Sequence, residues 1–213
     1  ESHEQAGNRV AAFEARRCSG DAVMASRPSS EALALTERLL ADAQGESERL
    51  AALLVHATVM LVSNRPDEAQ AAADEARVLA HALARPWDEF EAARCAAVAL
   101  AQQRRADEGV PLLERFATLV ESQGSLAQRF HYWSDLAYVL NLADRRRDSV
   151  QAWKAAIAQA EALGDRHEVL TCTTNLTGMT GQLGLPHEAH AYAERACRLR
   201  SEVEDTDDVV GGA

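Results

Sequence analysis

A small residue recurs five times along this chain, each time followed by a second small residue twelve positions on. The first members are Gly20, Ala57, Ala97, Ala137 and Thr177, and the second are Ala32, Ala69, Gly109, Ser149 and Ala189. Successive copies start 37, 40, 40 and 40 residues apart. A fixed period in this range marks one supersecondary unit stacked repeatedly. Small residues at two set phases have a physical reason. Paired helices approach to about 8 Å only where Gly, Ala, Ser or Thr stand at the contact. The larger apolar residues Leu54, Leu79, Val98, Leu113, Leu136, Trp153 and Leu176 surround these points.

Each copy reads as two helices joined by a short turn. In the last, Leu170 to Leu183 forms the first helix, Gly184-Leu185-Pro186 the turn, and a second helix starts at His187 and runs past Leu199. Pro186 and Pro66 share one phase, just before a helix start, where a missing N–H costs nothing. Gly164-Asp165 stops one helix and caps the next, and Gly124-Ser125 holds the same place one copy earlier. Pro111 is placed in the opening turn of its helix, where it need not kink anything. The chain is 47% hydrophobic but only 5% aromatic, with 11 glycines and 5 prolines. That suits thin, close helix packing and argues against a turn-rich β fold. The expected fold class is all-α, a right-handed superhelix of about five helix–turn–helix repeats. A flanking segment at 1–9 precedes a single repeat domain over 10–200. Its copies span 10–46, 47–86, 87–126, 127–166 and 167–200, and an acidic and small-residue tail or linker fills 201–213. The chain begins at Glu1 rather than Met, and we expect it to be a segment of a longer protein.

These residues resemble the tetratricopeptide repeat. That pattern has a bulky then a small residue in the first helix, an Ala twelve later and a further Ala seven beyond. Leu176-Thr177, Ala189 and Ala196 match it, as do Leu136-Ala137, Ser149 and Ala156. The second copy has Ala57, Ala69 and Ala76 but places His56 at the bulky position; the third departs at Phe116, and the first, Ser19-Gly20, Ala32 and Leu39, is weakest. The longer period and Ala-Leu-Gly-Asp at 162–165 are similar to repeats of maltose-regulator-like bacterial transcription activators. The resemblance implies a cytoplasmic interaction or sensor module of a bacterial transcriptional or signalling regulator.

Stacked hairpins wind so that the first helices line a concave groove. Counting phase, the groove presents His131, Ser134, Asp135, Tyr138 and Asn141 in the fourth copy and Thr171, Thr174, Asn175, Gly178 and Gln182 in the fifth. Earlier copies present Leu54, Val55, Thr58 and Leu61, then Glu91, Arg94 and Val98. The C-terminal half is thus rich in hydroxyls and amides, which can pair with the backbone of an extended peptide. Asn175 matches a position whose Asn holds ligand backbone in the resembled family. The basic residues of a carboxylate clamp are missing nearby, so an acidic C-terminus is not expected. The expected partner is a protein or peptide, or another domain of the same polypeptide. The alternative is a homodimer formed through an uncapped repeat end.

Other classes are disfavoured. A net charge of −11 argues against direct nucleic-acid contact. No apolar run approaches 18 residues, so no membrane span is expected. Cys18, Cys95, Cys172 and Cys197 are too sparse for a disulfide framework and read as reduced. No phosphate loop, dinucleotide fingerprint, nucleophile elbow or zinc-protease helix is present, so neither enzymatic activity nor a cofactor is expected. His187 and His190 near Glu194 read as surface histidines rather than metal ligands. His131 beside Tyr132 and Trp133 lacks a nucleophile, and Arg145-Arg146-Arg147 between Asp144 and Asp148 reads as a solvated turn.

Overall fold

A computed structural model describes residues 30–210. Gly20, Ser19, Cys18 and the 1–9 segment lie outside the described residues. Those residues form ten helices and no strand. The chain divides into two compact units, the first ending at Leu112 and the second starting at Leu113.

The first unit holds α1 (Ser30–Asp42), α2 (Glu46–Val62), α3 (Pro66–Ala82), α4 (Pro86–Gln102) and most of α5 (Ala106–Glu114). Each helix from α1 to α4 packs on the next, and α2 also packs on α4. The core is built largely from alanine: Leu50, Leu53 and Ala57 meet Ala72, Ala73, Ala76 and Ala80 of α3 and Ala92 and Ala96 of α4. Ala57, Ala69 and Ala97 have no exposed surface, as contact positions require. His56, which replaces the bulky residue, bonds through Nδ1 to Thr36 Oγ1 at 3.0 Å. Thr36 is fully buried and donates to the Leu33 carbonyl, so it accepts from the imidazole.

The second unit holds the end of α5, then α6 (Ala117–Gln123), α7 (Leu126–Leu142), α8 (Arg146–Leu163), α9 (Arg166–Gln182) and α10 (Pro186–Val210). Consecutive helices from α6 to α10 pack pairwise. Ala137 and Ser149 are fully buried, whereas Thr177 and Ala189 of the last copy are half-buried. α10 continues through the acidic stretch placed in the tail at 201–213, because no Gly or Pro interrupts it before Gly211. Among its described side chains, which end at Val203, the outer face is polar. Val150, Ile157 and Ala160, buried on α8, are matched forty residues on by exposed His190, Cys197 and Arg200. Among the described side chains of α10, no large apolar residue is exposed.

The period has a second basis that the sequence hides. The hairpin turns place Asn64, Arg104, Asp144 and Gly184 at one phase, all with positive φ between 58° and 71°. Each turn closes with the same pair of backbone bonds, such as Asn64 N–H to Leu61 O and Arg65 N–H to Met60 O. This is the Schellman motif, which satisfies carbonyls orphaned at a helix end. The turn between α3 and α4 repeats it at Ala84, φ 51°. The arginine after Asn64, Arg104 and Asp144 then pairs with an acid three residues on: Arg65 with Glu68 at 2.6 Å, Arg105 with Glu108 at 2.8 Å, Arg145 with Asp148 at 2.9 Å, while Leu185 follows Gly184.

The third copy departs from the others. Pro111 stands inside α5, five residues past its start, so the expectation of an opening-turn proline is corrected. Its ring removes the bond that would reach the Asp107 carbonyl. The second helix of this copy is also broken in two, with a tight Phe116 N–H to Leu113 O turn between α5 and α6. Phe116 occupies the phase that Ala76 and Ala156 fill without exposure, and a phenyl ring needs room that a methyl does not. Gly124 differs too. Its φ is −68°, and glycine is required because a Cβ would collide with the Val120 carbonyl. Ser125 forms the expected cap, reciprocally with Gln128, and Asp165 caps α9 through Glu168 N–H.

Candidate functional site

Within the second unit, a recess of about 280 Å³ opens where α7, α8 and α9 meet. Tyr138 and Asn141 enter from α7, one helical turn apart and alternating with buried Ala137 and Leu140. Thr174, Asn175, Gly178 and Gln182 enter from the face of α9 opposite buried Thr173, Leu176 and Thr180. Trp153 of α8 and Met179, 7% and 4% exposed, make an apolar floor. Gly178 stands forty residues after Tyr138. The missing side chain at that phase keeps the recess open, since a Cβ there would meet nothing within 4 Å.

The lining has no charged side chain. The Tyr138 hydroxyl and the amides of Asn141, Asn175 and Gln182 make no hydrogen bond to another described residue. Burial alone pushes the Tyr138 phenol above its ordinary value, so it stays protonated and can both donate and accept. The Thr174 hydroxyl instead donates to the Leu170 carbonyl at 2.9 Å.

Of the residues singled out by repeat phase, the recess gathers Tyr138, Asn141, Thr174, Asn175, Gly178 and Gln182. In the same two copies His131, Ser134, Asp135 and Thr171 lie outside it. Ser134 donates to the His131 carbonyl at 3.1 Å, Thr171 donates to the His167 carbonyl at 2.9 Å, and His131 rests against the Phe130 ring. In the first unit, Val55 is buried rather than groove-lining, and Thr58 donates to Leu54 O. Met179 was missed by sequence reasoning, and Trp153 was read only as packing. Their signal was position: Met179 follows Asn175 by one helical turn.

The remaining chemistry is modest. Arg145 pairs with Asp148 and Glu114, and Arg146 with Asp144 at 2.9 Å, so this basic turn carries its own counter-ions. His190 meets Glu194 at 3.3 Å on an exposed face. Among the described residues, no group of three or more His, Cys, Asp or Glu is arranged to hold a metal ion. Cys95, Cys172 and Cys197 form no disulfide among the described residues, and burial pushes the Cys172 thiol up to about 12, which leaves it unreactive. Among the described residues, no helix is long and apolar enough to cross a membrane.

No protein-family model matches the chain. The human SH3 domain and tetratricopeptide repeat-containing protein 2 is 28% identical over 174 residues, covering 82% of this chain and 13% of that protein. A Rap protein complexed with competence and sporulation factor superposes with TM-score 0.74 at 14% identity, over 82% of this chain and 50% of the other. Aspartyl phosphate phosphatase F from Bacillus subtilis gives 0.73 at 12% identity, over 93% and 53%. The nearly identical TPR-like repeats described for a Podosopora anserina kinesin light chain give 0.64 at 18% identity, over 90% and 94%. This chain therefore spans about half the length of the Rap and phosphatase chains and a small part of the human relative. At these identities the likeness is one of fold, and the fold of this chain is that of the tetratricopeptide-like helical-repeat proteins.

Proposed function

We propose that this chain is a non-enzymatic interaction module whose recess takes an uncharged stretch of extended peptide, supplied by a partner protein or by another domain of the same polypeptide. The observation that carries the reading is the lining: four polar side chains without partners in the described chain, set around a Trp153–Met179 floor, with no charge among them. Such a surface offers donors and acceptors to a peptide backbone and an apolar seat to one side chain. A charged side chain would lose hydration there without gaining a counter-ion. Asn175 and Asn141, facing across the recess, are the candidate backbone partners. Complex formation by the Rap protein, named with competence and sporulation factor, favours ligand binding on this fold. The finer context remains part of the proposal: a cytoplasmic regulatory or signalling protein of bacterial type, with no nucleic-acid or membrane contact by this segment. The polar outer face of α10 weighs against a homodimer through the repeat end.

The test is an array of nine-residue peptides, scored against the full chain and the double variant Tyr138→Ala with Asn175→Ala. The reading expects neutral peptides to be selected, and the variant to bind at least about tenfold more weakly with helicity and Tm unchanged. Selection of acidic or basic peptides alone, or equal binding by the variant, would sink it.

A further inference from the structure

The recess has one firm side and one side that the sequence makes weak. α9 contains five threonines and two glycines among its 17 residues, whereas α7 and α8 contain neither type and α8 has six alanines. Threonine loses side-chain freedom in a helix, and glycine loses the most backbone freedom. All five threonine hydroxyls donate to a carbonyl four residues back: Thr171 to His167, Thr173 to Val169, Thr174 to Leu170, Thr177 to Thr173 and Thr180 to Leu176, at 2.6–2.9 Å. Bonds of this kind compete with the helix's own ladder.

Neither glycine is required by the closed structure. Gly178 and Gly181 have no left-handed φ, and a Cβ on either would meet nothing within 4 Å. Their effect is to keep α9 easy to unwind. α9 does bury Val169, Cys172, Thr173, Leu176, Met179 and Thr180, but no aromatic side chain is among them. Gly178, Gly181, Thr171, Thr174, Asn175 and Gln182 all lie on an exposed face. On α10, Ala196 and Val203 are the buried residues among the described side chains, whose outer face is polar. The partner helices α7 and α8 bury Phe130, Tyr132, Leu136, Val139, Trp153 and Ile157.

We propose that α9 and α10 open together as a cooperative unit while α7 and α8 stay folded, so that the recess is complete only in the closed state and a ligand binds by closing it. The opening rests on the composition and packing of α9; its coupling to ligand rests on the docking reading above. The closed state alone brings Asn175 and Gln182 opposite Tyr138 and Asn141, so a peptide touching both sides binds it preferentially and shifts the population toward it.

Native-state hydrogen exchange on the full chain, without peptide, tests the opening. Amides of Thr173 to Gln182 are expected to exchange through an opening equilibrium at least about 100-fold more populated than that of Trp153 to Ala160. The double variant Gly178→Ala with Gly181→Ala should slow α9 exchange by about 10–30-fold and leave α8 unchanged. Exchange of α8 and α9 at one common rate, or no slowing in the variant, overturns the opening. A pool of nine-residue peptides drawn from uncharged residues then tests the coupling. Slower α9 exchange with the pool supports it. Unchanged α9 exchange with the pool, in a chain whose α9 still opens, overturns the docking reading and the coupling together while the opening stands.

Discussion

The Ser149 hydroxyl donates to the Ala137 carbonyl at 2.7 Å, joining the two small residues of one copy across the α7–α8 contact. Both residues are fully buried. The twelve-residue spacing is therefore a direct contact. The serine is a variation on alanine that satisfies its own hydroxyl against the facing backbone.

That contact predicts two different costs. Ser149→Ala removes one buried hydrogen bond and leaves the shape, so urea denaturation should show a loss of about 1 kcal/mol. Ala137→Trp forces the helices apart and should cost about 3 kcal/mol or more. An unchanged midpoint for Ala137→Trp would remove the close-contact basis of the repeat.

The turns predict the opposite sign. Ala84 and Arg104 hold φ of 51° and 64°, which costs a residue with a Cβ about 1 kcal/mol relative to glycine. Ala84→Gly should therefore raise stability by up to about 1 kcal/mol, and Gly184→Ala should lower it by a similar amount. Thermal melts of both variants check the pair, and a destabilised Ala84→Gly would contradict the turn geometry.

His56 makes the first unit sensitive to acid. Burial holds its imidazole below the ordinary value of 6.5, outweighing Glu68 and Glu37, which raise it, while Arg65 lowers it further. The unfolded chain takes up the proton first as pH falls through about 6.5. Stability should therefore be full above that pH and decline as the solution is acidified below it. His56→Leu, which restores the repeat's bulky residue, should flatten the Tm profile between pH 5 and 7. A wild-type Tm that rises over that interval as pH falls would reverse the assignment.

Filling the recess should separate binding from folding. Gly178→Tyr copies the residue that stands at the same phase in the preceding copy, and its Cβ enters open space. Helicity should be retained or raised, because an interior helix glycine costs about 1 kcal/mol. Binding of neutral peptides selected by the wild-type chain should fall at least about tenfold. Undiminished binding by a folded Gly178→Tyr chain would place the docking site elsewhere.

The helices were legible because their constraints act through residue type. A helix contact at Ala57 or Ala137 tolerates nothing large, and proline at 66 or 186 announces a helix start. The turns were not legible at Asn64, Arg104 and Asp144, because backbone hydrogen bonding imposes the left-handed conformation whatever the side chain. Gly184 alone gave it away. Phe116 was visible as a departure, but the break it accompanies depends on how much room the facing helices leave. For the recess, counting phase found six lining residues and also named His131, Ser134, Asp135 and Thr171, which lie outside it. Phase reports direction around a helix, not whether a hydroxyl is already bonded to its own backbone or a floor lies beneath.

The recurring turn also makes chain length a discrete quantity. Because each hairpin closes with the same bonds around the same left-handed residue, one residue added at Arg104 would rotate the next helix by about 100° about its axis. Ala106, Val110 and Leu113 would then turn away from the side on which they are now buried. Loss or gain is mechanically neutral only in whole hairpin copies, so variation in this protein is expected to occur by side-chain replacement within copies or by exchange of entire hairpins.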